Sequence, residues 1–227
     1  MKLCVATPMY GGNCTAGYAS SLLNLSKLIK FEHNFIANES LVTRARNMLT
    51  HAFLESDCTH MLFIDADVAF DAHGVVKMLE SDKNLIGGLY AKKHIDWQRV
   101  FNMAKQVDSA QQLAANAYDY YVRGNVQMGT QECVEVESVA TGLMLIKRDV
   151  FAALKSSTPA SKLGSAVLGQ ISAQTLVHHY FDTGLDAKTG EFLSEDYAFC
   201  QKWKRAGGKV YAAPWIKTIH IGTHNFG

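Results

Sequence analysis

Two carboxylates, Asp65 and Asp67, flank Ala66 directly after the apolar run His-Met-Leu-Phe-Ile at residues 60–64. A continuous apolar run of this length reads as a strand buried on both faces. The carboxylates then emerge at the carboxyl edge of a sheet, the edge at which open α/β folds bind ligands. They repel each other unless a cation or a hydrogen-bond donor lies between them. The bland alternative is a solvated acidic turn. Arg44 and Asn47 lie three residues apart on a helical segment and share one face. A guanidinium there pairs with phosphate or sugar oxygens in forked geometry. Arg46 falls on another face and is expected to be a solvated charge. A second acidic pair, Glu195-Asp196, follows Ser194. Ser194 as an N-cap accounts for part of that pattern, because acidic residues stabilise a first helical turn.

These side chains need elements to hold them. Residues 2–7 read as a short strand ending in Thr7-Pro8. Leu22, Leu25, Leu28 and Ile29 recur at helical spacing within 17–29. Residues 31–36 form a strand pattern, and 41–54 a helix with Leu41, Ala45, Met48, Leu49, Ala52 and Phe53 on one face. A helix over 73–81 and a strand over 84–89 follow. This βαβαβ order predicts a parallel sheet between two helical layers, with right-handed crossovers.

Beyond residue 103 the pattern weakens. Residues 104–131 show no clean period, Val134, Val136 and Val139 suit a half-buried strand, and 143–146 form a second buried run after Thr141-Gly142. The Ser-, Ala- and Gly-rich stretch 156–174 reads as a mobile loop with short helical pieces. A helix over 195–206 carries Phe199, Trp203 and Ala206 on one side and stops at Gly207-Gly208. Strands over 210–213 and 216–221 are expected to close the sheet. A single domain over 1–227 is predicted, with halves at 1–103 and 104–227.

Composition narrows the function classes. The 227 residues carry 22 Lys+Arg against 21 Asp+Glu, a net charge of +1, so no global field selects nucleic acid or an anionic membrane. Hydrophobic residues at 48% and charged residues at 19% describe a globular chain, not a disordered one. The 5 cysteines are spread without any close pair, which predicts reduced thiols and a cytoplasmic compartment. No stretch reaches the ~20 apolar residues of a membrane span.

The strand ending in Thr7-Pro8, the helical NESLVTRARN, the HMLFIDADV segment and the late SEDYAFC together resemble a GT-A-fold glycosyltransferase acting on a nucleotide sugar. The likeness is to small viral and bacterial members and to α-mannosyltransferases of the fungal Golgi. It covers most of the chain and concentrates in 1–90 and 190–221. It implies a GT-A-like (Rossmann-like) three-layer α/β/α sandwich with a mostly parallel central sheet, and a DxD motif that holds Mn²⁺ or Mg²⁺ against the donor diphosphate. Hard oxygen ligands suit those ions better than zinc.

Carried over, Asp67 ligates the metal and Asp65 touches the ribose or binds the metal through water. His220, with His224 as the alternative, supplies a third ligand. Thr7, Pro8 and Tyr10 cradle the base, with Ala66, Arg44 and Asn47 in the same donor cleft. Lys92 or Lys93 meets the diphosphate, unless the two are a basic surface pair. Thr141 and Gly142 line the donor sugar or the acceptor, or form a tight turn with no ligand. Asp196, with Glu195 second, deprotonates the acceptor hydroxyl in an inverting reaction. The donor is UDP-linked by preference and GDP-linked second, and the acceptor is a glycan hydroxyl. A haloacid-dehalogenase-type phosphatase, a nucleotidyltransferase and a non-catalytic nucleotide-sugar-binding module are the competing readings. The phosphatase motif lies nearer an N-terminus and has Thr or Val where this chain has Ala69. The sugar and the oligomeric state are written in no motif.

Overall fold

The computed structural model describes residues 1–163 and 172–223. Its first half alternates β1 (Leu3–Met9), α1 (Ala16–Leu28), β2 (Phe31–Ala37), α2 (Val42–Glu55), β3 (His60–Ile64), β4 (Val68–Phe70), α3 (Ala72–Glu80) and β5 (Leu85–Gly88). Each helix starts where chemistry favours it or where the chain enters extended. Thr15 caps α1 by accepting from the Tyr18 N–H, and Asp71 caps α3 through the His73 and Gly74 N–H groups.

The central sheet has seven strands in the order β2, β1, β3, Leu143–Lys147, β5, Val210–Ala213, Val134–Val136. β1 is parallel to β2 and β3, and Val210–Ala213 is parallel to β5. Leu143–Lys147 runs against both β3 and β5, and Val134–Val136 runs against Val210–Ala213. β3 and β5 are therefore not neighbours, contrary to the simple βαβαβ reading. Leu143, Met144, Leu145 and Ile146 are at most 1% exposed, and a run with both faces apolar belongs at a sheet's centre.

Pleating divides the strands between two cores. Cys4, Ala6, Met61, Phe63, Met144 and Ile146 face α2 and the helices Arg148–Leu154 and Glu195–Arg205. Leu3, Val5, Leu62, Ile64, Leu143 and Leu145 face α1 and α3. The result is a three-layer α/β/α sandwich. Phe181 stacks on Phe199 at 4.4 Å between ring centroids and so pins the segment around residue 181 to the last helix.

Three expectations need correction. The strand Thr218–His220 does not close the main sheet; it pairs antiparallel with β4 in a separate two-stranded sheet. The chain turns at Pro214-Trp215, and Ile219 on that strand is 67% exposed. The aperiodic stretch contains the helix Ala110–Asn116, just after another at Trp97–Met103. Ser109 and Asp96 cap them, so the start signals were present although the apolar period was not. The expected loop over 156–174 holds a short strand, Ala160–Lys162, and its residues 164–171 lie outside the described ones. Among the described residues no helix is long and apolar enough to cross a membrane. The cysteines are free, as expected, with Cys14 the exposed one.

Candidate active site at the carboxyl edge of the sheet

The turn after β3 is held from three sides. The Asp65 N–H donates to the Gly142 carbonyl at 3.1 Å, and the Val68 N–H closes the turn onto the Asp65 carbonyl at 3.0 Å. The Ala66 carbonyl accepts from the Thr15 N–H at 2.9 Å and from its hydroxyl at 3.3 Å. The start of α1 thus grips the loop that carries both carboxylates. Gly142 is required there: its N–H donates to the Tyr90 hydroxyl at 3.0 Å, and a Cβ would stand 2.3 Å from that oxygen.

Arg46 is the hub. Its side chain is 4% exposed, lies over the Phe63 ring, and donates through Nη2 to Asp65 Oδ1 at 3.0 Å and through Nε to Glu195 Oε1 at 3.1 Å. Burial opposes its charge, but Asp65 and Glu195 outweigh burial and hold its pKa above the ordinary value. Burial also pushes the Glu195 carboxyl up, against the pull of Arg46 and with help from Asp196. Among the described residues, Arg46 Nη1 and Thr141 Oγ1 are buried side-chain atoms without a hydrogen-bond partner. Unpaired buried donors and hydroxyls are costly, so they mark places where a bound molecule would satisfy the protein.

Asp67 points the other way, to Lys93 and to His220 Nε2 at 3.6 Å. Burial acts to raise its carboxyl pKa, but His220 and Lys93 prevail and bring it down to about 2. His220 Nδ1 lies 2.8 Å from the Ala91 carbonyl oxygen, which only accepts, so Nδ1 carries the proton. A protonated ring lowers the Asp67 pKa through the charge at Nε2, whereas in a neutral ring the same nitrogen has a lone pair available to a cation. Two donors of electron pairs facing each other fit a cation between them, with the carbonyl fixing the imidazole as in metal sites generally. Asp67 and His220 therefore form a donor set suited to a divalent ion of mixed O/N preference, such as Mn²⁺.

Asp67 lines one cleft, and its partners Lys93 and His220 line another. One, of about 420 Å³, is lined by Pro8, Tyr10, Arg46, Asp65, Ala66 and Asp67. The other, of about 650 Å³, includes Lys92, Lys93, Trp97, Tyr120 and His220 in its wall. Tyr10 is 74% exposed at the mouth of the first, open to stack on a planar ring.

Several side chains lie elsewhere than the sequence suggested. Arg46, expected in solvent, is buried, and Arg44 is the exposed one, held by Glu39. Arg46, Leu49 and Phe53 follow one another at i, i+3 and i+7, and that spacing was the readable sign of an arginine in the apolar stripe. Arg44 and Asn47 do share a cleft, but a third one, apart from the paired carboxylates. Asn47 spends its amide on Asp182 and the Phe181 N–H. Thr7 is wholly buried, bound to the Tyr18 hydroxyl at 2.6 Å and to His33, so it offers no ring-edge contact. Lys92 lines the second cleft, with Nζ over the Tyr121 ring. Thr141 and Gly142 are packed beneath Asp65 and Tyr90. Asp196 accepts from the Ser194 hydroxyl and the Tyr197 N–H. His224 lies outside the described residues. Sequence reasoning gave no role to Tyr90 or to Glu39, although Glu39 lies within the NESLVTRARN segment.

Glu32, Asp57 and Cys58 also bring ligand atoms within 4.8 Å of one another, but at the amino end of β3, where Lys2 already neutralises Asp57.

No family model matches the sequence, and no curated protein matches it. Among solved structures the chain is similar to A197 from STIV, at 17% identity over 98% of this chain and 87% of that one, with a TM-score of 0.56. It is also similar to GalNAc-T7 with UDP, GalNAc and Mn²⁺, at 12% identity over 97% of this chain and 43% of that one, with a TM-score of 0.49. At such identities likeness speaks to fold alone. The chain has a three-layer α/β/α fold with a mostly parallel central sheet, which it shares with A197 from STIV.

Proposed function

We propose that the protein is a metal-dependent glycosyltransferase that moves a sugar from a nucleotide donor, UDP-linked by preference and GDP-linked second, to a glycan hydroxyl. One observation carries the reading: at the carboxyl edge of the sheet, Asp67 in the wall of a nucleotide-sized cleft faces His220 Nε2 at 3.6 Å, in the wall of a second cleft. A divalent cation bound there supplies Lewis acidity for the departing diphosphate.

The protein's own groups divide the remaining work. Tyr10 and Pro8 border the base, and Asp65, fixed by Arg46, faces the ribose side of the first cleft. Arg46 holds Asp65 and Glu195 at one separation, so the donor cleft and the start of the last helix move as one piece. Lys93, now paired with Asp67, would be free to meet the diphosphate's charge if Asp67 were to hold a metal ion. Glu195 is committed to Arg46, which leaves Asp196 as the carboxylate available to take the acceptor proton, with inversion at the anomeric carbon.

Asp67→Ala is expected to abolish metal-dependent release of nucleoside diphosphate from a panel of UDP- and GDP-sugars, read by coupled assay. Undiminished turnover in that variant sinks the metal assignment. Asp196→Ala tests the base in the same way, with a loss of about 10²–10⁴ in rate.

A further inference from the structure

A different constellation occupies the third cleft, of about 230 Å³, whose wall includes Arg44, Asn47, Ser161, Lys162, His179 and Asp182. It shares no lining residue with the cleft of the paired carboxylates. Ser161 Oγ lies 2.7 Å from His179 Nε2, and His179 Nδ1 lies 3.0 Å from Asp182 Oδ2. Both separations fall in the range for a nucleophile, its base and the group that orients the base.

Asn47 fixes the direction of every proton in the chain. Its Oδ1 accepts the Phe181 N–H at 2.8 Å, so the amide cannot be reversed, and its Nδ2 donates to Asp182 Oδ1 at 3.2 Å. Ionised Asp182 only accepts, so His179 carries its proton on Nδ1 and presents the Nε2 lone pair. The Ser161 hydroxyl must then be the donor to Nε2. This is the proton arrangement of an activated serine, reached from hydrogen-bond accounting alone.

The backbone holds the same geometry. Ser161 lies in the strand Ala160–Lys162, opposite Val177 of the antiparallel strand Leu176–His178. His179 follows that partner strand directly, and its N–H donates to the Pro159 carbonyl at 2.8 Å. Asn47 is 5% exposed and comes from α2, in the body of the fold. Ser161 is exposed and open to a substrate.

We infer that this cleft is a second, esterolytic site, with Ser161 as nucleophile, His179 as general base and acid, and Asp182 as the group that orients His179. Its substrate class is a short-chain O-acyl ester. The volume has no room for a long acyl chain, Leu41, Leu163 and Val177 offer it an apolar wall, and Lys162 brings positive charge for a developing oxyanion. Ser161 Oγ bonds to the acyl carbon while its proton passes to His179 Nε2. The ester C–O bond breaks, and the leaving alkoxide takes that proton. Water then attacks the acyl-serine, gives its proton to Nε2, and releases the carboxylic acid and free Ser161. None of these steps depends on the donor chemistry proposed above.

The test is covalent labelling of the intact protein with a fluorophosphonate, mapped by mass spectrometry, together with hydrolysis of 4-nitrophenyl acetate. The expected result is one adduct, on Ser161, formed at least about 100-fold more slowly in His179→Gln, and hydrolysis abolished in Ser161→Ala. No adduct on Ser161, or the same labelling rate in a folded His179→Gln, overturns the inference. Should His179→Gln fail to fold, Ser161→Ala decides: an ester hydrolysis rate equal to that of the unaltered protein overturns it.

Discussion

Arg46 and Arg44, two positions apart on α2, are chemically alike and have opposite consequences. Arg46 is 4% exposed and satisfies two carboxylates, whereas Arg44 is 47% exposed and pairs with the 5% exposed side chain of Glu39. Removing one partner from a buried charge network leaves the others uncompensated, at about 3–5 kcal/mol. Arg44 keeps half its side chain in water, which can screen the loss of the pair. Arg46→Ala is therefore expected to lower the urea midpoint sharply and abolish turnover, while Arg44→Ala lowers the midpoint by less. Equal effects from the two substitutions would contradict the hub role of Arg46. Arg46→Lys keeps a charge but not the fork that reaches Asp65 and Glu195 together, so it rescues stability in part and activity little. The paired carboxylates were legible because the apolar run before them fixes where the strand ends. Arg46 was misread because a charge inside an apolar stripe is interpretable only once its distant partners are known, and Glu195 lies 149 residues away.

At the scale of elements, β1, β2 and α1 meet around one polar cluster. The Tyr18 hydroxyl lies 3.0 Å from His33 Nε2 and 2.6 Å from Thr7, beneath the Phe35 ring edge. Burial holds the His33 pKa below its ordinary 6.5. The unfolded chain then binds this proton more readily than the folded one, and stability rises with pH wherever that holds. The His33 contribution is fully present above about pH 6.5 and is lost as pH falls through the folded-state value. His33→Gln is expected to flatten the pH dependence of the melting temperature between about pH 7 and 5; an unchanged slope would contradict it. The helices and strands of the first half were readable because each has a local apolar pattern, and α1 and α3 also have a capping side chain. The insertion of Leu143–Lys147 between β3 and β5 was not, because pairing across the sheet is a long-range choice that no local period records. The same holds for Thr218–His220, whose apolar-looking sequence joins β4 because the chain turns at Pro214.

For the molecule as a whole, a net charge of +1 leaves recognition to local groups. Those groups gather at one edge of the sheet, where β3 and the strand Thr218–His220 bring Asp67 and His220 together from 153 residues apart in sequence, 220 minus 67. A lone late histidine carries no sequence signal of its own; here a backbone carbonyl fixes its tautomer and makes its purpose readable. The central claim is that this edge binds a nucleotide only together with a divalent ion. Thermal unfolding with UDP or GDP, each with and without Mn²⁺, tests it most directly. A ligand at 100 times its Kd stabilises the folded state by about 2.7 kcal/mol, which for a chain of this size raises the melting temperature by roughly 5–10 °C. That rise is expected with nucleotide and Mn²⁺ together, little with either alone, and none in Asp67→Ala. A nucleotide shift of the same size without metal, or no shift under any condition in the folded protein, would contradict it.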